Sequence, residues 1–174
     1  MKLNDNQPTI RVATVEDAPQ IIEIQREVLM ESDYMISVIE EFEGSEEKQR
    51  SSIQATLGNP RETMIVAEVR GSVAGYIVFR SNKSTRLSHT GTFTTMVKKE
   101  FRGLGIGKLL ITGLLTWAEQ NPLIEKVSLG VLSTNERAIT LYKSVGFLEE
   151  GRKVREVKFN DTLYVDDILM YKFV

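Results

Sequence analysis

Cysteine is absent from the 174-residue sequence, and histidine occurs only once, at His89. Without thiols the chain forms no disulfide, no thiolate metal site and no cysteine nucleophile. A single imidazole also excludes a zinc site built from several histidines. We therefore expect a protein that uses no metal, and the lack of cysteine is consistent with a reducing compartment.

The sequence also has no large excess of positive or negative charge. The 22 lysine and arginine residues against 24 aspartate and glutamate residues give a net charge of −2 at pH 7. A nearly neutral chain has no strong general attraction for nucleic acid. No apolar run approaches the roughly 20 residues that a membrane span needs, and residues 1–8 lack the apolar segment of a signal peptide. These features predict a cytoplasmic protein with neither nucleic-acid nor membrane partners.

The length of the chain fits one domain. No internal repeat, low-complexity tract or linker divides the sequence. We therefore assign residues 1–174 to a single domain and expect residues 1–8 to form a flexible N-terminus.

Strand and helix signals alternate along the chain. Apolar and β-branched runs predict the strands, and capping residues followed by apolar residues at helical spacing predict the helices. Strands are expected at residues 9–13, 63–69, 73–80, 87–97 and 126–132 and on both sides of residues 160–161, and helices after Thr14, Ser45, Gly105 and Asn135. The resulting order, βααβββαβαββ, predicts an α/β fold with a sheet of mixed direction.

A glycine-rich turn is the most informative segment. Residues 97–108, VKKEFRGLGIGK, lie between a predicted strand and an amphipathic helix. Glycines let a ligand approach the backbone, and a helix N-terminus attracts phosphate through its free N–H groups and its dipole. The spacing does not fit the dinucleotide pattern GxGxxG, and the P-loop pattern fails because Arg102 stands where it requires glycine. The turn predicts a phosphate-binding cradle, with a connector that binds nothing as the alternative.

Two motifs resemble those of the GNAT superfamily of N-acetyltransferases. Residues 102–107, RGLGIG, match the motif R/Q-x-x-G-x-G/A, and residues 135–147, NERAITLYKSVGF, match N-x-x-A-I-x-L-Y-x-x-x-G-F. One predicted helix and one predicted strand separate them, as in that superfamily. The resemblance implies the GNAT (acyl-CoA N-acyltransferase) fold, with a mixed, mostly antiparallel central sheet and helices on both faces, and acetyl-CoA as co-substrate.

The same resemblance implies how acetyl-CoA is bound. The amides of the turn would hold its pyrophosphate, and the strand before the turn would pair with its pantetheine arm. Asn135 would contact the amide groups of the cofactor. The alternative interpretation is that Asn135 serves only as a helix N-cap. The implied cofactor-binding residues are Thr95, Met96, Val97, Arg102, Gly103, Leu104, Gly105, Ile106, Gly107, Asn135, Ala138 and Tyr142.

Two catalytic roles follow from the resemblance. Tyr142 matches the tyrosine that protonates the leaving thiolate, and its alternative is a core tyrosine on an amphipathic helix. The Val97 amide matches the donor to the thioester carbonyl and to the oxyanion formed on attack. His89 is expected on the strand at residues 87–97, either as a structural hydrogen-bonding residue or as an acceptor contact.

The general base is not defined by the motifs. An attacking amine must be neutral, and a primary aliphatic amine has a pKa near 10, so a base is required. Similar enzymes that acetylate ribosomal-protein alanine have a glutamate at the position of Gly130, which argues against protein N-termini as acceptors. We place Glu31 first, as base or acceptor contact. The other candidates are Asp33, Glu68, Glu156, Asp166 and Asp167.

We therefore expect an acetyl-CoA-dependent N-acetyltransferase that transfers acetyl directly to a primary amine of a small molecule in a ternary complex. The tail, residues 150–170, resembles bacterial members related to amino-acid and phosphinothricin acetyltransferases. Acetylation of a protein N-terminus or lysine, and a non-catalytic acyl-CoA-binding sensor, stay open as alternatives. Homodimerisation through the C-terminal strands, common among similar proteins, also stays open.

Overall fold

The computed structural model describes residues 7–31 and 33–174. Of the expected flexible N-terminus, residues 1–6 lie outside the described residues. Within these two ranges, four α-helices and seven strands follow one another in the predicted order. They are β1 (Thr9–Val12), α1 (Ala18–Glu31), α2 (Glu46–Leu57), β2 (Thr63–Val69), β3 (Ser72–Ser81), β4 (Thr90–Val97), α3 (Ile106–Glu119), β5 (Lys126–Leu132), α4 (Glu136–Ser144), β6 (Leu148–Lys158) and β7 (Tyr164–Phe173).

All seven strands form one sheet in the order β1-β2-β3-β4-β5-β7-β6. Every neighbouring pair is antiparallel except β4 and β5, which run parallel. This confirms the predicted mixed, mostly antiparallel sheet. Among the described residues, no helix has the length and apolar character needed to cross a bilayer.

Helices cover both faces of the sheet, as predicted. Along β2, Ile65 belongs to the core beneath α3 and α4, whereas the next residue, Val66, belongs to the core beneath α1 and α2. Successive strand residues point to opposite faces, so one strand contributes to both cores. We call the two sides the α3 face and the α1 face.

Local capping chemistry sets the ends of the helices. The Ser45 hydroxyl accepts a hydrogen bond from Lys48 N–H at 3.3 Å, and the Asn135 side chain accepts one from Ala138 N–H at 3.2 Å. Both residues therefore satisfy an N–H group that the first helical turn leaves free. The helix starts predicted at these two residues are confirmed.

The start of β4 differs from the prediction. Residues 85–87 form a 3₁₀ turn and the strand begins at Thr90, not at residue 87. The Thr90 hydroxyl donates to the Leu87 carbonyl at 2.8 Å, so this side chain stabilises a turn instead of extending the strand. His89 consequently lies in the turn before β4, where its carbonyl accepts a hydrogen bond from Glu125 N–H at 2.9 Å.

A buried carboxylate anchors the first helix to the sheet. Asp17 accepts two 2.7 Å hydrogen bonds from the Arg11 guanidinium and one from Thr14 N–H, also at 2.7 Å. Arg11 reaches on to Glu68 of β2 at 3.0 Å. Burial acts to raise the pKa of Asp17, but the hydrogen bonds from Arg11 and Thr14 outweigh it and hold the pKa below its ordinary value.

We predict that Asp17→Asn lowers the free energy of unfolding at pH 7 by about 2 kcal/mol, because charge-assisted hydrogen bonds are lost. A carboxyl with a depressed folded-state pKa stabilises the protein above its unfolded-state pKa of about 4, and loses that effect as pH falls further. The difference from wild type should therefore shrink below pH 4. Urea unfolding from pH 3 to pH 7 measures it, with the exposed Asp33→Asn as control. A difference that is constant with pH would contradict the assignment.

Candidate active site

A gap opens in the sheet between β4 and β5. The two strands pair only at residues 90–92 and 126–128. Beyond that point β4 continues to Val97 beside β3, and β5 continues to Leu132 beside β7. The strands therefore separate, and each leaves an unpaired edge facing the gap.

The backbone of β4 presents hydrogen-bonding groups to this gap. Lys98 N–H donates to Ala74 O of β3 at 2.9 Å. Because backbone groups alternate in direction along a strand, the even-numbered residues of β4 face β3, and Thr95 and Val97 face the gap. An extended ligand could pair with these groups as an added strand.

The glycine-rich turn closes the end of the gap and starts α3. Gly103 and Gly105 have φ values of +84° and +80°, and a Cβ at either position would meet nothing within 4 Å. Both glycines thus border open space at the N-terminus of α3, where the first N–H groups have no intrahelical acceptor. Gly107 lies within the first helical turn, and Leu104 is exposed. This cradle fits a pyrophosphate, which binds well at a helix N-terminus.

Acidic residues of α1 brace the same turn. Three glutamates spaced four residues apart, which we call the glutamate ladder, contact the segment after β4. Lys98 Nζ donates to Glu23 at 3.0 Å, Lys99 N–H donates to Glu27 at 2.6 Å, and the two terminal nitrogens of Arg102 donate to Glu31 at 2.6 and 3.0 Å. Residues at i and i+4 lie on one side of a helix, so a single face of α1 makes all three contacts.

Arg102 also ties the turn to the strand. Its Nε donates to the Val97 carbonyl at 3.1 Å, while its terminal nitrogens hold Glu31. The side chain therefore fixes the turn internally, and any cofactor contact by Arg102 falls to its backbone. Both carboxylate oxygens of Glu31 are occupied in this pair. The role of Glu31 as base or acceptor contact stays a prediction.

Tyr142 of α4 lies beside the gap on the α3 face. Its ring packs edge-on against Phe93 of β4, with ring centroids 5.8 Å apart, and also against Phe147. Burial raises the pKa of Tyr142 to about 12. No group in residues 7–31 and 33–174 hydrogen-bonds to its hydroxyl. A tyrosine in this state holds its proton across the neutral range.

Asn135 and Ala138 occupy the first turn of α4. The Asn135 side-chain oxygen caps the helix, so the predicted capping role is confirmed. Its amide nitrogen has no acceptor within the described part of the chain and stays available to a ligand. Ala138 is half-buried and packs against the core of the α3 face. Their contacts with a cofactor stay predictions.

A cavity of about 220 Å³ opens on the other side of the sheet. Met96, whose side chain points to the α1 face, forms its floor, and α1 with the following segment forms its walls. Five of the eight lining residues are apolar and three are polar, one of them the acidic Glu41. The lining residues are Gln25, Leu29, Met35, Ser37, Val38, Glu41, Phe42 and Met96.

The candidate bases differ sharply in their surroundings. Glu68 pairs with Arg11, Glu156 pairs with Lys153 at 3.5 Å, and Asp166 accepts from Arg155 N–H at 2.7 Å and from Arg152 at 3.3 Å. Asp33 is exposed. Asp167 is only 6% exposed, and its one ion-pair partner in the described chain is Lys153 at 3.5 Å.

Sequence reasoning missed two parts of this site. One is the glutamate ladder, whose four-residue spacing is visible in the sequence but whose partner turn lies more than 70 residues away. The other is Tyr76 of β3, which donates to Met96 Sδ at 3.4 Å and accepts from Gln25 at 3.1 Å. Gln25 and Met96 both line the cavity, so Tyr76 supports it from below.

Known proteins resemble this chain. It is 31% identical to an N-alpha-acetyltransferase of Sulfurisphaera tokodaii over 80% of either chain. It is 26% identical to the L-amino acid N-acetyltransferase AaaT of Escherichia coli, over 53% of this chain and 57% of that protein. An uncharacterized protein of Mycobacterium leprae is 29% identical over 87% of this chain, which spans only 38% of its length.

Solved structures share the fold. A GNAT-family acetyltransferase from Streptococcus pneumoniae superimposes with a TM-score of 0.91 at 23% identity, over 97% of this chain and all of that one. YncA from Salmonella typhimurium, solved with acetyl-CoA, superimposes with a TM-score of 0.86 at 20% identity, over 96% and 94% of the chains. The model of the acetyltransferase (GNAT) family matches residues 25–147. The resemblance predicted from residues 102–107 and 135–147 is thus confirmed, and the chain belongs to the acetyltransferase (GNAT) family.

Proposed function

We propose that this chain transfers the acetyl group of acetyl-CoA to a primary amine of a small molecule. The observation that carries the proposal is the gap between β4 and β5, with the glycine cradle at its end, Tyr142 on one face and a small cavity on the other. Acetyl-CoA supplies an activated acyl carbon as its thioester. The residues around the gap bind it, hold the acceptor and move protons.

The cofactor half of the site is a backbone surface. Gly103, Gly105 and the first N–H groups of α3 would hold the pyrophosphate, while Thr95 and Val97 would pair with the pantetheine arm. The Val97 N–H would donate to the thioester carbonyl oxygen and stabilise its growing negative charge. Because Arg102 and the glutamate ladder already fix this backbone, little ordering remains to be done on binding.

Tyr142 would return a proton to the sulfur. The leaving thiolate needs an acid that still carries its proton at neutral pH, and burial gives Tyr142 a pKa of about 12. The hydroxyl has no competing partner in the described chain. A proton supplied in the transition state contributes about 10²–10⁴-fold to a rate.

The cavity supports a small acceptor with an apolar side chain. Its volume of about 220 Å³ accommodates one amino-acid side chain, and its walls are mainly apolar. The name of AaaT shows that a relative acts on L-amino acids. The N-alpha-acetyltransferase relative supports a second candidate, the N-terminal residue of a peptide. Both acceptors would place an α-amino group at the mouth of the cavity.

A panel of amines separates these candidates. Thiol release from acetyl-CoA is measured with L-methionine, L-leucine, spermidine, a peptide with N-terminal methionine, and no acceptor. We expect turnover with the apolar amino acids and little with spermidine, because five of the eight residues that line the cavity are apolar. Turnover with the peptide alone would support the second candidate. If no amine causes thiol release although acetyl-CoA binds tightly, the proposal is overturned in favour of a non-catalytic acyl-CoA-binding sensor.

Gly105→Leu should weaken acetyl-CoA binding at least tenfold, about 1.4 kcal/mol. The added side chain enters the open space of the cradle and strains a backbone at φ +80°. Gly71→Leu is the matched control, because Gly71 has φ +77° and open space around it but lies in the β2–β3 turn. Calorimetry with acetyl-CoA measures both variants. Equal affinities in the two variants would contradict the cradle.

Tyr142→Phe should lower kcat about 10²-fold and leave the affinity for acetyl-CoA within twofold, because only the acidic proton is lost. Tyr164→Phe, at the start of β7, is the control and should retain wild-type kcat. Steady-state kinetics with the best amine of the panel gives both values. A Tyr142→Phe variant that turns over like wild type would show that the tyrosine is a core residue only.

A further inference from the structure

Asp167 of β7 is a buried carboxylate that stands out among the described residues. Its side chain is 9% exposed, and no donor within residues 7–31 and 33–174 hydrogen-bonds to it. The Lys153 ammonium lies 3.5 Å from Oδ2 and leaves Oδ1 unpaired. Buried charges normally have hydrogen-bond partners, since an unsatisfied one destabilises the fold. The neighbouring Asp166, which accepts from Arg155 N–H and Arg152, shows the ordinary arrangement.

A missing side chain on the next strand makes room for this carboxylate. A Cβ at Gly130 of β5 would lie only 2.7 Å from Asp167 Oδ1 and 3.3 Å from Oδ2. Gly130 itself is exposed. The Asp167 carboxylate therefore fills the place that any side chain at Gly130 would take, and Oδ1 borders the opening above that glycine.

The sheet register places this opening beside the proposed reaction site. Thr92 and Ser128 form the last residue pair before the gap, and four residues further along each strand lie Met96 of β4 and Leu132 of β5. Asp167 pairs with Leu132. Ile168 belongs to the core of the α3 face, so Asp167 points to the α1 face, as Met96 and the cavity do.

We propose that Asp167 binds the acceptor ammonium and is the general base of the reaction, a role made possible by Gly130. This inference rests on the proposed function. The acceptor enters as R–NH₃⁺, and its ammonium hydrogen-bonds to Oδ1. One N–H proton passes to the carboxylate and then to solvent, which leaves a neutral nitrogen.

The remaining steps balance atoms and charge. The neutral nitrogen forms a bond to the acyl carbon, and the bond from that carbon to sulfur breaks. The sulfur takes the Tyr142 proton, and the second nitrogen proton returns through water to the Tyr142 oxygen. The products are the N-acetylated amine, the free thiol of CoA and one proton in solution.

Asp167→Asn should lower kcat/KM at pH 7 about 10²-fold with the best amine of the panel, while acetyl-CoA affinity stays within twofold. Without a base only the neutral amine reacts, so the rate of this variant should rise by up to about tenfold per pH unit from pH 7 until the pH reaches the pKa of the acceptor amine. The wild-type rate should be nearly flat there, because the bound base accepts the proton. Equal slopes in the two proteins would overturn the proposal.

Lys153→Met distinguishes catalysis from a structural ion pair. Lys153 and its partner Glu156 are the other charged groups next to Asp167. If Asp167 only paired with Lys153, Lys153→Met would reproduce the loss in Asp167→Asn. We expect kcat/KM of Lys153→Met within fivefold of wild type and an unchanged pH slope.

A double variant that removes the carboxylate from β7 and introduces one on β5 gives the sharpest test. In Asp167→Ala the space beside Gly130 is vacant, so Gly130→Glu can place a carboxylate there. The double variant should recover at least tenfold over Asp167→Ala, whereas Asp167→Ala with Gly130→Gln should not. Recovery by both double variants, or by neither, would overturn the role of the carboxylate. If the wild-type protein releases no thiol with any amine of the panel, the proposed function is overturned, and this inference falls with it.

Discussion

The parting of two parallel strands is the constraint on which the rest of this structure depends. β4 and β5 are held together by three residue pairs and then separate, while each stays hydrogen-bonded to its other neighbour. The gap therefore has two firm edges, and the backbone of β4 offers unused hydrogen-bonding groups along it. A buried polar backbone must find partners somewhere, so the separation itself calls for water or an extended ligand. The glycine cradle, Tyr142, Met96 and Asp167 all take their positions from this opening.

The buried and half-buried polar groups of the chain differ in whether other residues hydrogen-bond to them. Asp17 receives hydrogen bonds from Arg11 and Thr14, and Glu31 receives two from Arg102. Such paired groups position helices and the turn. Asp167 and Tyr142 are equally enclosed, yet within the described chain no group hydrogen-bonds to either side chain. The fold loses some stability because these two groups lack hydrogen-bond partners, and such groups beside a cleft are typical of functional sites.

Local signals in the sequence were sufficient for most of the fold. The order of elements, both ends of β2 and β5 and the caps at Ser45 and Asn135 follow from residues within a few positions of each boundary. The predicted start of β4, at residue 87, was wrong. β-branched threonine favours a strand, but the Thr90 hydroxyl donates a hydrogen bond to the Leu87 carbonyl and so stabilises a turn before the strand. Nothing local separates Asp167 from Asp166. Only the pairing of β7 with β5 brings Asp167 next to Gly130, and that contact spans distant parts of the chain.

The glutamate ladder makes α1 a shared component of the two surfaces that we propose for binding. One side of the helix carries Gln25 and Leu29 to the cavity proposed for the acceptor, and another carries Glu23, Glu27 and Glu31 to the turn proposed for the cofactor. A rigid helix cannot shift on one side without shifting on the other. Evolution toward a bulkier acceptor by displacement of α1 would therefore disturb the turn as well. We expect changes of acceptor preference in this fold to arise more readily in the segment after α1, since Met35, Val38 and Phe42 line the cavity and the three glutamates that hold the turn lie on α1.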